Sequence, residues 1–156
     1  MNTASRQFLT LSSEKLQSNM ALIRKCLEQM DNQAVWARPN DASNSVANLC
    51  LHLAGNLGQL IGHAVAGHAD TRQRDAEFSA AAGLDAAQLC AVLQEAVDSA
   101  CAILAGLPPE RLDEAVEFRG RQWTVLEVVY KAVEHFALHA GQIVYIAKSA
   151  GTIRLS

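Results

Sequence analysis

The stretch SVANLCLHLAGNLGQLIGHAV, residues 45 to 65, contains no Lys, Arg, Asp or Glu. A helix with a solvent face normally carries several of them. At about 100° per residue, Leu49, Leu53, Leu57, Leu60 and Ile61 cover one flank, and Ala47, Leu51, Ala54, Gly58 and Val65 cover the other. Ser45, His52, Asn56, Gln59 and His63 fall between them in a stripe about 60° wide. A helix packed on both flanks turns such an uncharged polar stripe toward an interior cavity. The stretch therefore reads as one wall of a helical bundle. Gly55, Gly58 and Gly62 each cost about 1 kcal/mol relative to Ala inside a helix, which predicts close approach by another helix, from this chain or a second subunit.

Three more helices complete the pattern. Leu16, Met20, Ile23 and Leu27 recur at helical steps between Ser12 and Met30. Asp85 and Gln88 form a capping box before Leu89, Leu93, Val97, Cys101 and Leu104, and Gly106-Leu-Pro-Pro ends that run. Thr124 and Glu127 form a second box, opening a pattern that continues to about Ser149 before Gly151. HADTRQRDAEFSAAAG, from His68, has no apolar period and reads as a solvated charged loop with room for a short turn of its own. VEFRGRQWTV, around Gly120, has the alternation of a short β-hairpin. The expected fold is all-α: one four-helix-bundle domain over residues 1–156, with that hairpin before the last helix.

Composition sets limits on partners. Half the residues are hydrophobic but only 5% are aromatic, which suits close-packed helices. A net charge of −3 provides no general attraction for nucleic acid or an anionic membrane. Cys26, Cys50, Cys90 and Cys101 are scattered among apolar residues, as reduced thiols are, and no secretory signal or continuous apolar span is visible. The expectation is a cytoplasmic protein that engages neither nucleic acid nor membrane. Trp36 and Trp123, flanking helix starts, read as core or rim packing.

The chemistry lies in VEHFALHAGQ, residues 133 to 142. His135, His139 and Gln142 share one line of the last helix, beside the apolar face formed by Val129, Ala132, Val133, Phe136 and Ile143. Imidazoles four apart can chelate one ion. Five histidines in 156 residues produce such a pair in roughly one random chain in eight, so the pair alone decides little. A third ligand from a facing helix completes a bundle site, and His52 is the natural choice. The zinc-protease motif is excluded, because Phe136 follows the first histidine. No phosphate loop, Ser-His-Asp set or dinucleotide fingerprint is present.

LHLAGN (51 to 56) together with EHFALHAGQIVYIAK (134 to 148) resembles the DinB-like superfamily of bacterial four-helix-bundle proteins. RPNDASNSVANLCLHLAGN and TRQRDAEF resemble one branch of it, so the likeness covers most of the chain. The resemblance implies a bundle holding one metal on His52, His135 and His139, and homodimers, which are common in the superfamily. Some relatives are S-transferases or isomerases that use low-molecular-weight thiols.

Two functions stand against each other. One is a metal-dependent enzyme acting on a small molecule or a low-molecular-weight thiol. In it Asn56, Gln59 and Gln142 support the site or the substrate, His63 carries protons, and Arg72 or Arg74 holds a substrate carboxylate. Zinc and nickel suit imidazole best, and iron also fits. No residue stands out as catalytic. The other is a non-catalytic ligand-binding or stress-response bundle, with a structural metal or none. A fourth protein ligand would favour structure, and an open position facing a pocket would favour chemistry.

Overall fold

The computed structural model describes residues 3–151 and 153–154. Its elements are α1 (Thr3–Leu27), α2 (Asn32–Trp36), α3 (Val46–Leu57), a π-helical continuation of α3 (Gly58–Val65), α4 (Arg74–Ser79), α5 (Ala86–Gly106), a 3₁₀ turn (Pro109–Asp113), β1 (Ala115–Phe118), β2 (Arg121–Thr124) and α6 (Val125–Ser149). The four long helices close into a bundle, with α1 on α5 and α6, and α3 on the same two. The first helix begins nine residues before the expected Ser12, because Leu9 belongs to the same buried face as Leu16, Met20 and Ile23.

Three of the long helices begin at reciprocal caps. Ser45 pairs with Asn48, Asp85 with Gln88, and Thr124 with Glu127, satisfying amide donors that a helix start leaves open. The bundle has one long crossover. Arg6 near the start of α1 donates to the carbonyls of Ala105 and Leu107, so α1 and α5 are antiparallel. Val128 and His135 of α6 share a cavity with Asn56 and Leu60, whereas Tyr145 shares another with Leu49, so α6 runs against α3. α5 starts near the end where α3 starts, since the Leu84 carbonyl accepts from the Trp36 indole and the Ala86 amide donates to Asn32 Oδ1. The chain leaving Val65 must therefore return alongside α3 before α5 can begin.

That return carries the segment read from sequence as a solvated loop. It contains α4, and Asn48 Nδ2 donates to the carbonyls of Glu77 and Ala80 at 2.9 and 2.8 Å, fixing it to α3. Arg38 secures the same turn through the carbonyl of Phe78. α5 is long and apolar enough in composition to cross a bilayer; here it packs against α1 and α3. The hairpin forms as expected, with Ala115 opposite Thr124 and Phe118 opposite Arg121. Its two-residue turn places Arg119 at φ +53° and Gly120 at φ +70°. Gly suits that conformation, but an Arg in it costs about 1 kcal/mol.

Candidate metal centre

His52 is delivered by the straight part of α3, and His135 and His139 by successive turns of α6. One ring nitrogen from each lies within 4.8 Å of the other two. The rings stand nearly perpendicular, with His135 and His139 centroids 4.4 Å apart and that of His52 about 5 Å from each. His52 Nε2 and His135 Nε2 are in contact at 2.7 Å. Ligand atoms on one tetrahedral zinc stand about 3.3 Å apart, so a ring rotation of a few tenths of an ångström fits the pair to an ion.

The outward nitrogens are occupied. His139 Nδ1 lies 2.6 Å from Gln142 Oε1, an acceptor, so Nδ1 carries the proton and Nε2 a lone pair. His52 Nδ1 lies 3.0 Å from Glu77 Oε2 and also 3.0 Å from Arg72 Nη2. Both contacts cannot be hydrogen bonds. Arg72 already donates to both Glu77 oxygens, from Nε at 2.8 Å and Nη2 at 2.9 Å, so the His52 Nδ1 proton goes to the carboxylate. This too leaves Nε2 free to ligate, in the carboxylate–histidine arrangement common around bound metals.

Burial lowers the pKa of all three imidazoles, that of His135 to about 4, with the neighbouring His139 and His52 adding to the effect. The neutral form is the metal-binding form. The folded values lie below the usual imidazole value of about 6.5, so the unfolded chain takes up more protons. Stability is therefore full above about pH 6.5 and is lost as pH falls toward the folded values. The Tm of metal-free protein is expected to drop between pH 7 and 4.5, and to drop less in His135→Asn; equal drops in thermal melts would contradict the sign.

Glu77 is the functional residue that sequence reasoning missed. It is 8% exposed, on a short helix inside the segment read as solvated. The signal for it was Gly55. A Cβ there would overlap the Glu77 carboxylate and come within 3.2 Å of Arg72 Nε. At Gly55 the expected close approach is that of α4, through this ion pair, whereas a Cβ on Gly58 meets nothing within 4 Å. Gly58→Ala should thus stabilise by up to about 1 kcal/mol, whereas Gly55→Ala should destabilise by about 1–3 kcal/mol. Denaturant titration of the two variants reads the difference in sign.

The remaining expected residues divide. Gln142 orients His139, and Asn56 lines the cavity beside His135. Gln59 is a structural tie: its carbonyl accepts from Arg72 at 3.0 Å and Arg119 at 2.8 Å, and its amide donates to Asp70. The Arg72 side chain is 3% exposed and committed to Glu77 and Gln59, so it has no free fork for a substrate carboxylate. Arg74 stacks on Phe78, 5.1 Å from the ring centroid. His63 bonds the carbonyl of His68 and stands outside the cluster. It lies about three turns beyond His52 along the same wall, roughly 15 Å, and the chain widens to π winding at Gly58 on the way. Trp36 and Trp123 are half-buried packing residues, as expected, and the cysteines are free thiols.

A cavity of about 210 Å³ opens beside the cluster between α3, the hairpin and α6. A second, of about 540 Å³, lies between α3, the returning segment and α5, lined by Gly55, Gly58, Gln59 and Glu77.

Among solved structures, a DinB-like protein from Bacillus subtilis is similar at 19% identity and a TM-score of 0.73, covering 94% of this chain and 95% of that one. A DinB-like protein from Bacillus cereus ATCC 10987 is similar at 12% identity and a TM-score of 0.69, covering 91% and 95%. The fold is therefore DinB-like, as the sequence resemblance implied. No curated protein matches the chain. A family model described as "Protein of unknown function (DUF1572)" matches residues 3–153, and the chain belongs to that family.

Proposed function

We propose that the protein binds one divalent metal ion through His52, His135 and His139 and uses it in thiol-dependent chemistry of the S-transferase type. The observation that carries this reading is the convergence of three imidazoles held neutral, two of them with the outward Nδ1 proton engaged by Glu77 and Gln142. Zinc and nickel are the preferred ions, with iron third. Among the described residues no fourth His, Cys, Asp or Glu joins the group, which favours an open coordination position over a closed structural site.

When bound, a divalent ion on three imidazoles supplies a position where a thiol loses its proton at neutral pH. The chain supplies the rest. Glu77 fixes the tautomer and tilt of His52, and Arg72 holds Glu77 in place. Gln142 does the same for His139. Phe78 packs on the His52 ring with centroids 4.7 Å apart, shielding it from water. Leu60, Val128, Phe118 and Trp123 give the adjoining cavity an apolar lining for a substrate body.

Elemental analysis of purified protein, combined with a thiol-transfer assay on an electrophile such as 1-chloro-2,4-dinitrobenzene, tests the reading. One ion per chain with metal-dependent thioether formation is expected. Metal without turnover across several thiols would move the protein to the non-catalytic class. Homodimerisation is part of the proposal: Leu126, Tyr130, Leu138 and Tyr145 expose large apolar side chains along α6, and sedimentation equilibrium at twice the chain mass would support it.

A further inference from the structure

The 210 Å³ cavity beside His135 has an electrostatic character that the metal site does not account for. It is lined by Asn56, Leu60, Val128, Phe118 and Trp123, together with three cations, Arg119, Arg121 and Lys131, and none of its lining residues is acidic. The protein as a whole is acidic, so this concentration of positive charge on one small apolar recess is local. Lys131 is engaged with Glu134 at 2.9 Å. The two arginines lie over the aromatic rings that line the recess: Arg119 over Phe118, 5.0 Å from its centroid, and Arg121 over Trp123 at 4.7 Å. Glu127 is near Arg121, but its carboxylate already accepts from the Thr124 amide and hydroxyl. The Arg121 guanidinium makes no hydrogen bond or ion pair among the described residues.

Two further observations bear on the recess. Trp123 Nε1 is buried and has no hydrogen-bond partner, a condition native proteins rarely leave uncompensated. Arg119 occupies the left-handed position of the hairpin turn, where Asn or Gly is the unstrained choice. Its guanidinium is tied to Gln59 Oε1 at 2.8 Å, and the residue lines the recess. Residues held in backbone conformations of this kind concentrate at binding sites.

We infer that this recess binds the carboxylate of a small organic acid, with the acid's apolar body between Phe118, Trp123, Leu60 and Val128 and its anionic end on Arg119 and Arg121. The inference rests on the reading of the histidine cluster as the reacting centre, and it names the substrate class that centre serves. A guanidinium pair matches a carboxylate in both charge and fork geometry. The cavity is smaller than most ligand pockets, so the acid is small.

Isothermal titration of phenylacetate against its neutral isostere phenylacetamide tests the inference, in metal-free and zinc-loaded protein. Phenylacetate is expected to bind at least about fivefold more tightly than the amide in both forms. Arg121→Gln and Arg119→Asn should each erase most of that preference while leaving amide binding and zinc stoichiometry unchanged. The Tm of Arg119→Asn should hold or rise, because Asn suits the turn. Equal binding of acid and amide, or a preference that survives both substitutions, would overturn the inference. So would a preference present only in zinc-loaded protein, which would place the carboxylate on the ion. Failure to bind zinc at all would defeat the metal reading instead, and would leave the acid-over-amide preference measurable on its own.

Discussion

Replacing His135 with alanine is expected to leave a folded chain that no longer holds a divalent ion tightly. Loss of a residue that merely orients a ligand typically weakens metal binding 10–100-fold. His135 contributes one of three ligating nitrogens, so its removal should weaken binding by more than about a hundredfold, and His52→Ala and His139→Ala should behave alike. The fold should survive, because His135 is only half-buried and the core around Phe136, Ala132 and Val129 is independent of it. Competition with a chromophoric chelator measures the affinity, and circular dichroism checks the fold. Unchanged stoichiometry in all three variants would remove the site.

Glu77→Ala should carry the largest stability cost. The Arg72 side chain is 3% exposed and both Glu77 oxygens take its donors. Removing the carboxylate strands a buried cation, which typically costs 3–5 kcal/mol. The Nδ1 proton of His52 loses its acceptor at the same time. Exchanging the whole pair, Glu77→Leu with Arg72→Met, should recover much of the stability, since buried ion pairs often break even against apolar replacements. Metal affinity should stay low in the double variant, because nothing then orients His52. Recovery of both properties together would reduce Glu77 to a structural role.

The contrast between Glu77 and the histidines shows what a sequence makes legible. His52, His135 and His139 lie on long helices whose period fixes their direction, so their convergence followed once the bundle was recognised. The three caps at Ser45, Asp85 and Thr124 were readable because each is a local pattern satisfied within four residues. Glu77 sits on six residues of helix whose position is set by Asn48 and Arg38, distant in sequence. A charged segment with no apolar period normally lies in water; this one is tied inward through Asn48, His52 and Gln59, long-range contacts that no periodicity encodes. His63 shares the stripe's direction but lies about three turns beyond His52, and a shared stripe says nothing of height along the axis. The short α2 and the 3₁₀ turn at Pro109 lay below the length at which a repeat becomes visible.

The two histidine-bearing walls also impose an order in time. His52 and His135 are 83 positions apart in the chain, with the entire returning segment, α5 and the hairpin between them. During synthesis no part of the chain up to α5 can present more than one of the three nitrogens. The three nitrogens therefore come together only after the last helix has docked. Packing of the apolar core is what brings the two walls together. Under the proposed metal reading, a three-nitrogen grip on an ion belongs to the last step of assembly, and a chain that stops short of α6 lacks it.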